Sequence, residues 1–475
     1  MEKEGTIVVN NIVNWIKEVI NKMFNKNDIS KAFNIDISIS SEMVDAIKLW
    51  SDMYENKAPW LSDDVKSLNL PASIASELAR MITIEHKSEI TGSTRADFLN
   101  NSYKEVKKKL RIQVEYGNAT GGMIFKPYVK NNKICVDYVL QGSFVPTAFD
   151  STDRMTGAIF TSQVIKGKFI YTRLESHKFE NNSEFIQNKV YVSENSSTLG
   201  SEVSIQTVDE WKDINESVLI ENVDKPLFAY YKVPFANNID PKSPLGVSVY
   251  SRAVEDIKKA DKQYGRLEWE YEASEKAIYA DIVALKEAEM SDKSKKYEMP
   301  TTKNRLIKKV GIGKDDFYQD YSPDIRDEAF IRGLNKDKQE IEFKCQIAYG
   351  TISDPQEIEK SATEIKAGKQ RSFATVSDAQ KSLQDALEDL IYAMDVLCTL
   401  YNLAPAGKYE TAYDWDDSIV SDRQSEFAER QQLVTGGVIN KWEQRAWYLG
   451  ETKEQAKANL PKEDDSNIFN TGGGE

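Results

Sequence analysis

The chain has 475 residues, of which 76 are Asp or Glu and 62 are Lys or Arg, so its formal net charge at neutral pH is -14. This length predicts about two to four domains, and 40% hydrophobic with 29% charged residues is an ordinary globular composition. The charge excludes a wholly basic protein that wraps nucleic acid. An integral membrane protein is also excluded, because no stretch approaches the roughly 18 to 20 consecutive apolar residues that a membrane span needs.

The cysteines and histidines limit the chemistry that the chain can perform. Cys135, Cys345 and Cys398 are odd in number and far apart, which indicates free thiols in a reducing compartment rather than a disulfide framework or a paired-cysteine metal site. The first residues are acidic where a secretory signal would be basic, so a cytoplasmic location is expected. Only His86 and His177 are present, and we expect His177 to be a structural hydrogen-bonding residue rather than a base.

The first part of the chain is predicted to be helical. In residues 6–25 apolar side chains recur at intervals of three and four, which predicts an amphipathic helix. Its polar face carries both Lys17 and Glu18, so packing against the protein body is favoured over a membrane surface. Residues 40–118 continue in mostly helical patterns. A basic cluster in them is interpreted as a solvated helix face, with a nucleic-acid contact as the alternative; it consists of Lys107, Lys108, Lys109 and Arg111.

The period of the apolar residues changes to two between residues 121 and 233. Short runs of β-branched and aromatic residues alternate there with Asn, Gly and Ser turns. This pattern predicts an antiparallel sheet region between helical blocks. The expected fold class is therefore α+β, mainly helical.

The second half of the chain predicts three long helices. Residues 247–277 and 325–350 have helical periodicity and flank a less regular stretch at 278–324, which predicts two antiparallel helices with a small domain at their tip. A break at 351–360 precedes the longest helix, at 361–404. Residues 405–475 hold an acidic patch, shorter helices and a glycine-rich tail that is expected to fray.

A search for catalytic motifs leaves no candidate enzyme site. The stretch from Gly311 to Lys314 lacks the spacing of a phosphate-binding loop, and the motifs of serine hydrolases and zinc peptidases are absent. The cluster between Asp414 and Asp417 is interpreted as a solvated acidic turn, with a Mg²⁺ site of the nuclease type as the alternative. The residues therefore favour a non-enzymatic protein with no catalytic residue, cofactor or metal.

Five segments of the chain, in register over nearly its whole length, resemble one protein family. The chain is similar here to the portal proteins of tailed double-stranded DNA bacteriophages that infect Gram-positive bacteria. Each motif alone is weak, but five in the expected order are hard to obtain by chance. The segments are residues 116–129, 171–177, 227–240, 243–248 and 360–365.

The resemblance implies the portal fold, with a named part for each block of the chain. A ring-forming subunit would have a peripheral wing, a two-helix stem, a clip, a tunnel loop that faces DNA, and a helical crown. The implied ranges are 1–246 for the wing, 247–277 and 325–350 for the stem, 278–324 for the clip, 351–360 for the tunnel loop, 361–404 for a long helix through the wing, and 405–475 for the crown and tail.

The same resemblance implies the function and the partners. Portal proteins form a dodecameric ring at one capsid vertex, through which double-stranded DNA enters and leaves. The implied partners are the terminase large subunit, the head-tail adaptor, and the major capsid and scaffolding proteins. The expected location is the virion, after assembly in the host cytoplasm, with no membrane involvement.

Basic residues in three of these blocks are the candidates for contact with DNA or partners. An acidic ring would repel the duplex and keep it centred, while a few cations hold it transiently. For every group an ordinary surface charge is the alternative, and the stem cations could instead pair with Glu270, Asp327 or Glu328 of neighbouring subunits. The DNA-channel candidates are Lys360, Lys366 and Lys369 near the loop and Lys258, Lys259, Lys262 and Arg266 on the stem; the candidates for partner binding in the clip are Lys303, Arg305, Lys308 and Lys309.

Two other functions stay open from the sequence. The first is an enzyme of the packaging machinery, such as a terminase-like ATPase or nuclease, which the absence of a phosphate-binding motif disfavours. ATP hydrolysis or DNA cleavage by the purified protein would support it. The second is a membrane-associated or host-associated scaffold that uses the N-terminal helix, which liposome flotation would detect.

Overall fold

The computed structural model describes residues 26–195, 198–274, 277–281, 307–310, 318–321, 324–355, 362–415 and 423–460. In these ranges helices and strands are mixed, which confirms the α+β class. The chain divides into two compact units, Met1–Trp415 and Asp416–Glu475. The helix predicted at residues 6–25 lies outside the described residues.

Helices form the first part of the larger unit, and their ends follow from local chemistry. Ser40 and Ser93 are N-caps, because the side-chain oxygen of each accepts a hydrogen bond from a backbone N–H of the first turn. Gly121 ends the last of these helices with φ +102°, a left-handed value that favours glycine. The helices are α1 (Lys26–Phe33), α2 (Ser41–Tyr54), α3 (Leu70–Thr83) and α4 (Thr94–Thr120).

Antiparallel strands follow α4, as the period-two pattern of residues 121–233 predicts. The strands are β2 (Gly122–Lys130), β3 (Lys133–Leu140), β4 (Phe144–Phe149), β5 (Met155–Lys166), β6 (Phe169–Glu180), β7 (Ser183–Ser193), β8 (Ser201–Val203), β9 (Ser217–Glu221) and β10 (Ala229–Lys232), and β1 is described with its partner below. One sheet has the order β10-β2-β3 and a second has the order β4-β5-β6-β7-β8, with β9 also paired to β7. Asn131 and Asn132 close the β2–β3 hairpin with φ of 51° and 55°, because a two-residue turn between twisted strands needs two left-handed residues.

The two helices predicted at 247–277 and 325–350 are present but shorter, as α5 (Val254–Ala273) and α6 (Asp327–Lys344). The first begins late because the preceding residues pack against α4, where the N–H of Val249 donates to the carbonyl of Asn118 at 3.0 Å. Between the helices lies a small sheet in which the central strand is parallel to one neighbour and antiparallel to the other. Its order is β12 (Ile307–Val310), β11 (Ala277–Asp281) and β13 (Tyr318–Tyr321).

A long helix, α7 (Ala362–Leu400), crosses the larger unit and packs against β2, β10 and α3, as the sequence predicts for residues 361–404. Neither α7 nor any other described helix has the length and apolarity to cross a bilayer. After α7, β14 (Glu410–Trp415) pairs antiparallel with β1 (His86–Thr91). Neither strand is predicted by the sequence, since β1 lies in residues 40–118, for which mostly helical patterns are predicted, and β14 lies in residues 405–475, for which shorter helices are predicted.

One hydrophobic core extends through the larger unit. It includes residues of α2, α4, β2, α5, α6 and α7, so the predicted wing, the first part of the stem and the long helix are packed together. Buried tyrosines are held within it by hydrogen bonds, for example from the Tyr250 hydroxyl to the carbonyl of Trp50 at 2.8 Å. The largest fully buried side chains are Trp50, Tyr103, Tyr231, Tyr250 and Phe125.

The described part of the smaller unit is helical, as predicted for the end of the chain. Two of its helices begin with reciprocal capping boxes, Asn440 with Glu443 and Thr452 with Gln455. The helices are α8 (Arg423–Thr435), α9 (Lys441–Leu449) and α10 (Lys453–Ala458). The smaller unit begins at Asp416, eleven residues after residue 405, where the last block is predicted to begin.

Candidate functional site

Helices α5 and α6 run antiparallel and are joined by ion pairs along their length. Acidic and basic residues near the start of α5 pair with residues in α6 up to its last residue, and Glu270 near the end of α5 pairs with Arg326 just before α6. Glu270 accepts two parallel hydrogen bonds from the Arg326 guanidinium, at 2.8 and 3.0 Å, and these bonds hold the pKa of Glu270 below its usual value. The pairs are Asp256–Lys344, Lys259–Asp337 at 2.6 Å, and Glu270–Arg326.

The first half of α5 is attached to the body through a buried carboxylate. Asp261 accepts hydrogen bonds from Trp60 Nε1 and from the N–H of Leu68, both at 2.9 Å. Burial raises the pKa of Asp261, since desolvation disfavours the charged form. One turn later, Gly265 lies so close to the same loop that a Cβ there would be 2.3 Å from the carbonyl oxygen of Asp64. The helix and the loop at residues 60–68 are therefore fixed together.

The close approach at Gly265 gives a prediction with a matched control. Gly265→Ala should lower the free energy of unfolding by about 1–3 kcal/mol, because the methyl group forces the Asp64 backbone away. Gly333→Ala, on α6, should be neutral or stabilising by up to about 1 kcal/mol, since the nearest atom to a Cβ is the flexible Gln263 side chain at 3.4 Å. Urea unfolding of both variants checks this, and equal effects would contradict it.

The four predicted DNA-channel cations on α5 have different environments. Lys259 is paired with Asp337, and Lys258 lies 3.4 Å from Glu255 and over the Trp60 ring. The other two, Lys262 and Arg266, are exposed, and neither makes an ion pair with any residue in the described ranges. The structure thus leaves two of the four as unpaired surface cations. Glu270, one of the acids that could pair with stem cations of a neighbouring subunit, forms an ion pair with Arg326 of its own chain.

A buried glutamate in α6 organises the turn that follows the helix. Glu342, fully buried, accepts hydrogen bonds from four donors. They are the N–H of Gly350 at 3.2 Å, Ile352 at 2.7 Å and Ser353 at 2.9 Å, and the Ser353 hydroxyl at 2.7 Å. Gly350, Ile352 and Ser353 are therefore fixed to α6, and Ser353 is buried. That residues 351–360 face DNA stays a prediction, and residues 356–360 lie outside the described residues.

The sequence interpretation missed Glu342. Its signal is a charged residue next to Ile341, on the side of α6 that faces the core, where a carboxylate needs several donors to be stable. A second bond fixes the turn, since the N–H of Asp354 donates to Asn335 Oδ1 at 2.7 Å. The turn from Gly350 to Asp354 is therefore fixed to α6 through Glu342 and Asn335.

The remaining predicted site residues are placed only in part. Lys360, Lys303 and Arg305 lie outside the described residues. Lys366 and Lys369 lie on the first turns of α7, shortly after that fixed turn. Lys308 and Lys309 lie on β12, an edge strand whose described partner is β11.

The end of the helix pair away from the core exposes large apolar side chains. Trp269, near the end of α5, is 62% exposed, and Ile325 precedes α6 with 47% exposed. Tyr271 and Ile331 are also exposed. An exposed tryptophan does not stabilise a monomer, because its apolar surface stays in water. Exposed apolar residues that lie together commonly mark contact surfaces.

Four of the five segments that carry the family resemblance contact one another. Gly121 and Gly246 meet so closely that a Cβ on Gly246 would be 2.0 Å from the Gly121 carbonyl oxygen. Gln141 Nε2 donates to the carbonyl of Gly246 at 2.7 Å, and the N–H of Gly246 donates to the Tyr230 hydroxyl at 3.1 Å. Lys126 connects the first segment to residues 171–177 through Glu175, at 2.6 Å. These motifs therefore build the junction between the two sheets and the start of α5.

His177 is hydrogen-bonded, as the sequence predicts, and belongs to a buried charge network. Its Nδ1 lies 2.9 Å from Glu184 and its Nε2 lies 3.0 Å from Glu175. Burial alone would lower the pKa of His177, but the hydrogen bonds to the two carboxylates raise it. Burial alone would likewise raise the pKa of Glu175, but Lys126, His177 and Arg173 hold it well below its usual range. The network joins β2, β6 and β7.

Asp414 lies on a strand rather than in the solvated turn that the sequence predicts. It is exposed on β14 and lies 3.7 Å from Lys87, while Asp416 and Asp417 lie outside the described residues, so the choice between a solvated acidic cluster and a Mg²⁺ site stays a prediction. No group of three or more His, Cys, Asp or Glu that could hold a metal occurs among the described residues. The ring of His86 lies 4.1 Å from the ring of Trp415 in a tilted arrangement, and burial lowers the pKa of this histidine to about 4.

Comparisons with known proteins leave the family open. No protein-family model matches the chain, and no curated protein matches it.

Proposed function

We propose that this chain is a bacteriophage portal protein, a subunit of a ring that surrounds the DNA channel at one capsid vertex and has no catalytic activity of its own. In this proposal α5 and α6 form the stem, the sheet of β11 to β13 belongs to the clip, and α7 crosses the wing. The ring would hold the packaging motor and the head-tail adaptor on its outer end.

The observation that carries the proposal is the order of elements in the second half of the chain. An antiparallel helix pair has a small sheet at its tip, and a turn fixed by Glu342 then leads to a 39-residue helix across the body. This is the order of stem, clip, stem, loop and long helix that the resemblance implies. The exposed Trp269 and Ile325 at the end of the pair support it, since a ring subunit needs apolar contacts with its neighbours.

The charges on α5 fit a channel that holds DNA loosely. Every fixed phosphate contact adds affinity and hence a barrier to movement. Lys259 is neutralised by Asp337 and Lys258 is near Glu255, so only Lys262 and Arg266 among the four are unpaired with described residues. A net charge of -14 per chain opposes tight binding everywhere else.

Removing the two unpaired cations should weaken DNA contact without affecting the fold. The double variant Lys262→Ala/Arg266→Ala should lower duplex binding by the purified ring about tenfold at low salt and reduce its salt dependence. The control, Lys108→Ala/Lys109→Ala, removes two exposed lysines of α4 and should leave binding unchanged. Fluorescence anisotropy with a labelled duplex measures both. A larger loss in the control would instead support the nucleic-acid alternative for the basic cluster of α4.

A further inference from the structure

Strand β9 presents a free edge in the larger unit. Within the described ranges it pairs only with β7, and no strand covers its other side. Its sequence contains neither lysine nor proline, the residues that commonly protect an edge strand from added partners. The strand therefore has an open row of backbone donors and acceptors.

The hydrogen-bond register shows which backbone groups face outward. The N–H of Asn188 donates to the carbonyl of Glu216 at 2.7 Å, which makes this a hydrogen-bonded pair. Because such pairs alternate along an antiparallel ladder, Val218 and Ile220 bond to β7. The backbone N–H and C=O groups of Leu219 and Glu221, which alternate with these residues, then point away from β7.

The two faces of β9 differ in their exposure to solvent. On one face Ile220 is buried in a small core with Leu227 and Ala393, which fixes the strand. On the other face Leu219 is 58% exposed and lies opposite Phe185, itself 39% exposed. A rigid edge beside an apolar pair gives an added strand both backbone bonds and a place for one side chain.

The acidic residues around β9 favour a basic partner strand. Residues 209–224 contain six acidic residues and one lysine. Lys166 pairs with Asp209 and Glu210, but Glu216 and Glu221, at the two ends of β9, make no ion pair with described residues. A second copy of this edge would place acids against acids, which disfavours self-pairing.

We propose that the outer edge of β9 binds an extended, lysine-rich or arginine-rich segment of a partner protein as an added antiparallel or parallel strand. The proposal does not rest on the portal assignment, since it follows from the edge, its apolar pair and its charge.

The first test uses synthetic peptides with the full-length protein. A peptide of alternating lysine and valine should bind, as measured by fluorescence anisotropy, and its alternating glutamate and valine counterpart should not. The same basic peptide N-methylated at every residue keeps its charge but loses its donors, and should bind about tenfold more weakly. Bound basic peptide should slow hydrogen exchange at the amides of Leu219 and Glu221.

Variants separate the edge from general attraction to an acidic protein. Glu216→Lys/Glu221→Lys should weaken the basic peptide about tenfold and allow the acidic one to bind. Glu42→Lys/Asp45→Lys, on exposed positions of α2, changes the net charge equally and should leave binding within about twofold. Equal binding of the N-methylated peptide, equal effects of the two variants, or no change in exchange at Leu219 would overturn the proposal.

Discussion

Glu342→Ala should lower the free energy of unfolding by about 3–5 kcal/mol, because it leaves three backbone N–H groups and one hydroxyl without their buried acceptor. Glu342→Gln should cost less, about 1.5–3 kcal/mol, since the amide oxygen keeps part of the acceptor role but its NH₂ faces other donors. Urea unfolding at neutral pH measures both. The turn at Gly350 to Ser353 should also exchange its amides faster in both variants.

The matched control lies two positions earlier on the same helix. Glu340 is exposed and pairs with Lys336 one turn away, at 3.0 Å. Glu340→Ala should change the free energy of unfolding by no more than about 0.5 kcal/mol, as is usual for a surface pair. If both alanine variants had the same small effect, the assignment of Glu342 as the anchor of the turn would be wrong.

His177→Gln should destabilise the protein by about 3–5 kcal/mol near pH 6, since it leaves a buried carboxylate of the network without its charged partner. The same substitution should also remove a dependence of the free energy of unfolding on pH. The folded state raises the pKa of His177, so between the unfolded value near 6.5 and the folded value only the folded state holds the proton. Stability of the natural sequence should therefore fall as pH rises through this window.

The other histidine is the control for this pH dependence. Burial lowers the pKa of His86 to about 4, so this residue is neutral in the folded state across the window. His86→Gln should keep the loss of stability above about pH 6.5 that His177→Gln abolishes. Denaturation series from pH 6 to pH 9 on the two variants decide the point. An unchanged slope in His177→Gln would show that another group is responsible.

Periodicity predicted the large elements of the fold well. The antiparallel sheet region, the helix pair and the long α7 all have repeats of two or of three to four apolar residues over many positions. Two short strands were missed. Both β1 and β14 have only six residues and pair with each other across more than 300 positions of sequence, so neither has a strong local signal. In β14 the alternation of Tyr413 and Trp415 spans too few residues to distinguish a strand from an acidic turn.

The candidate site was less predictable because it depends on pairing between distant residues. The sequence does not distinguish the four basic residues of α5 from one another. In the structure Asp337 and Glu255 form ion pairs with two of them, Lys259 and Lys258. Residues 351–353 have the composition of an open loop, yet the buried Glu342 of α6 binds Ile352 and Ser353. The position of Glu342 beside Ile341 on the core-facing side of α6 indicates a buried carboxylate, but helical periodicity does not show which donors it binds.

A portal subunit must form rings, so the mass of the purified chain in solution is the most direct test of the proposed function. Mass photometry with electron microscopy should show closed rings with a central hole, of about 650 kDa if twelve 54.0 kDa chains assemble. Trp269→Lys should shift the population toward single chains, since it places a charge in the apolar contact between neighbours. A natural sequence that stays at 54.0 kDa at high concentration, with no ring in the micrographs, would contradict the portal proposal.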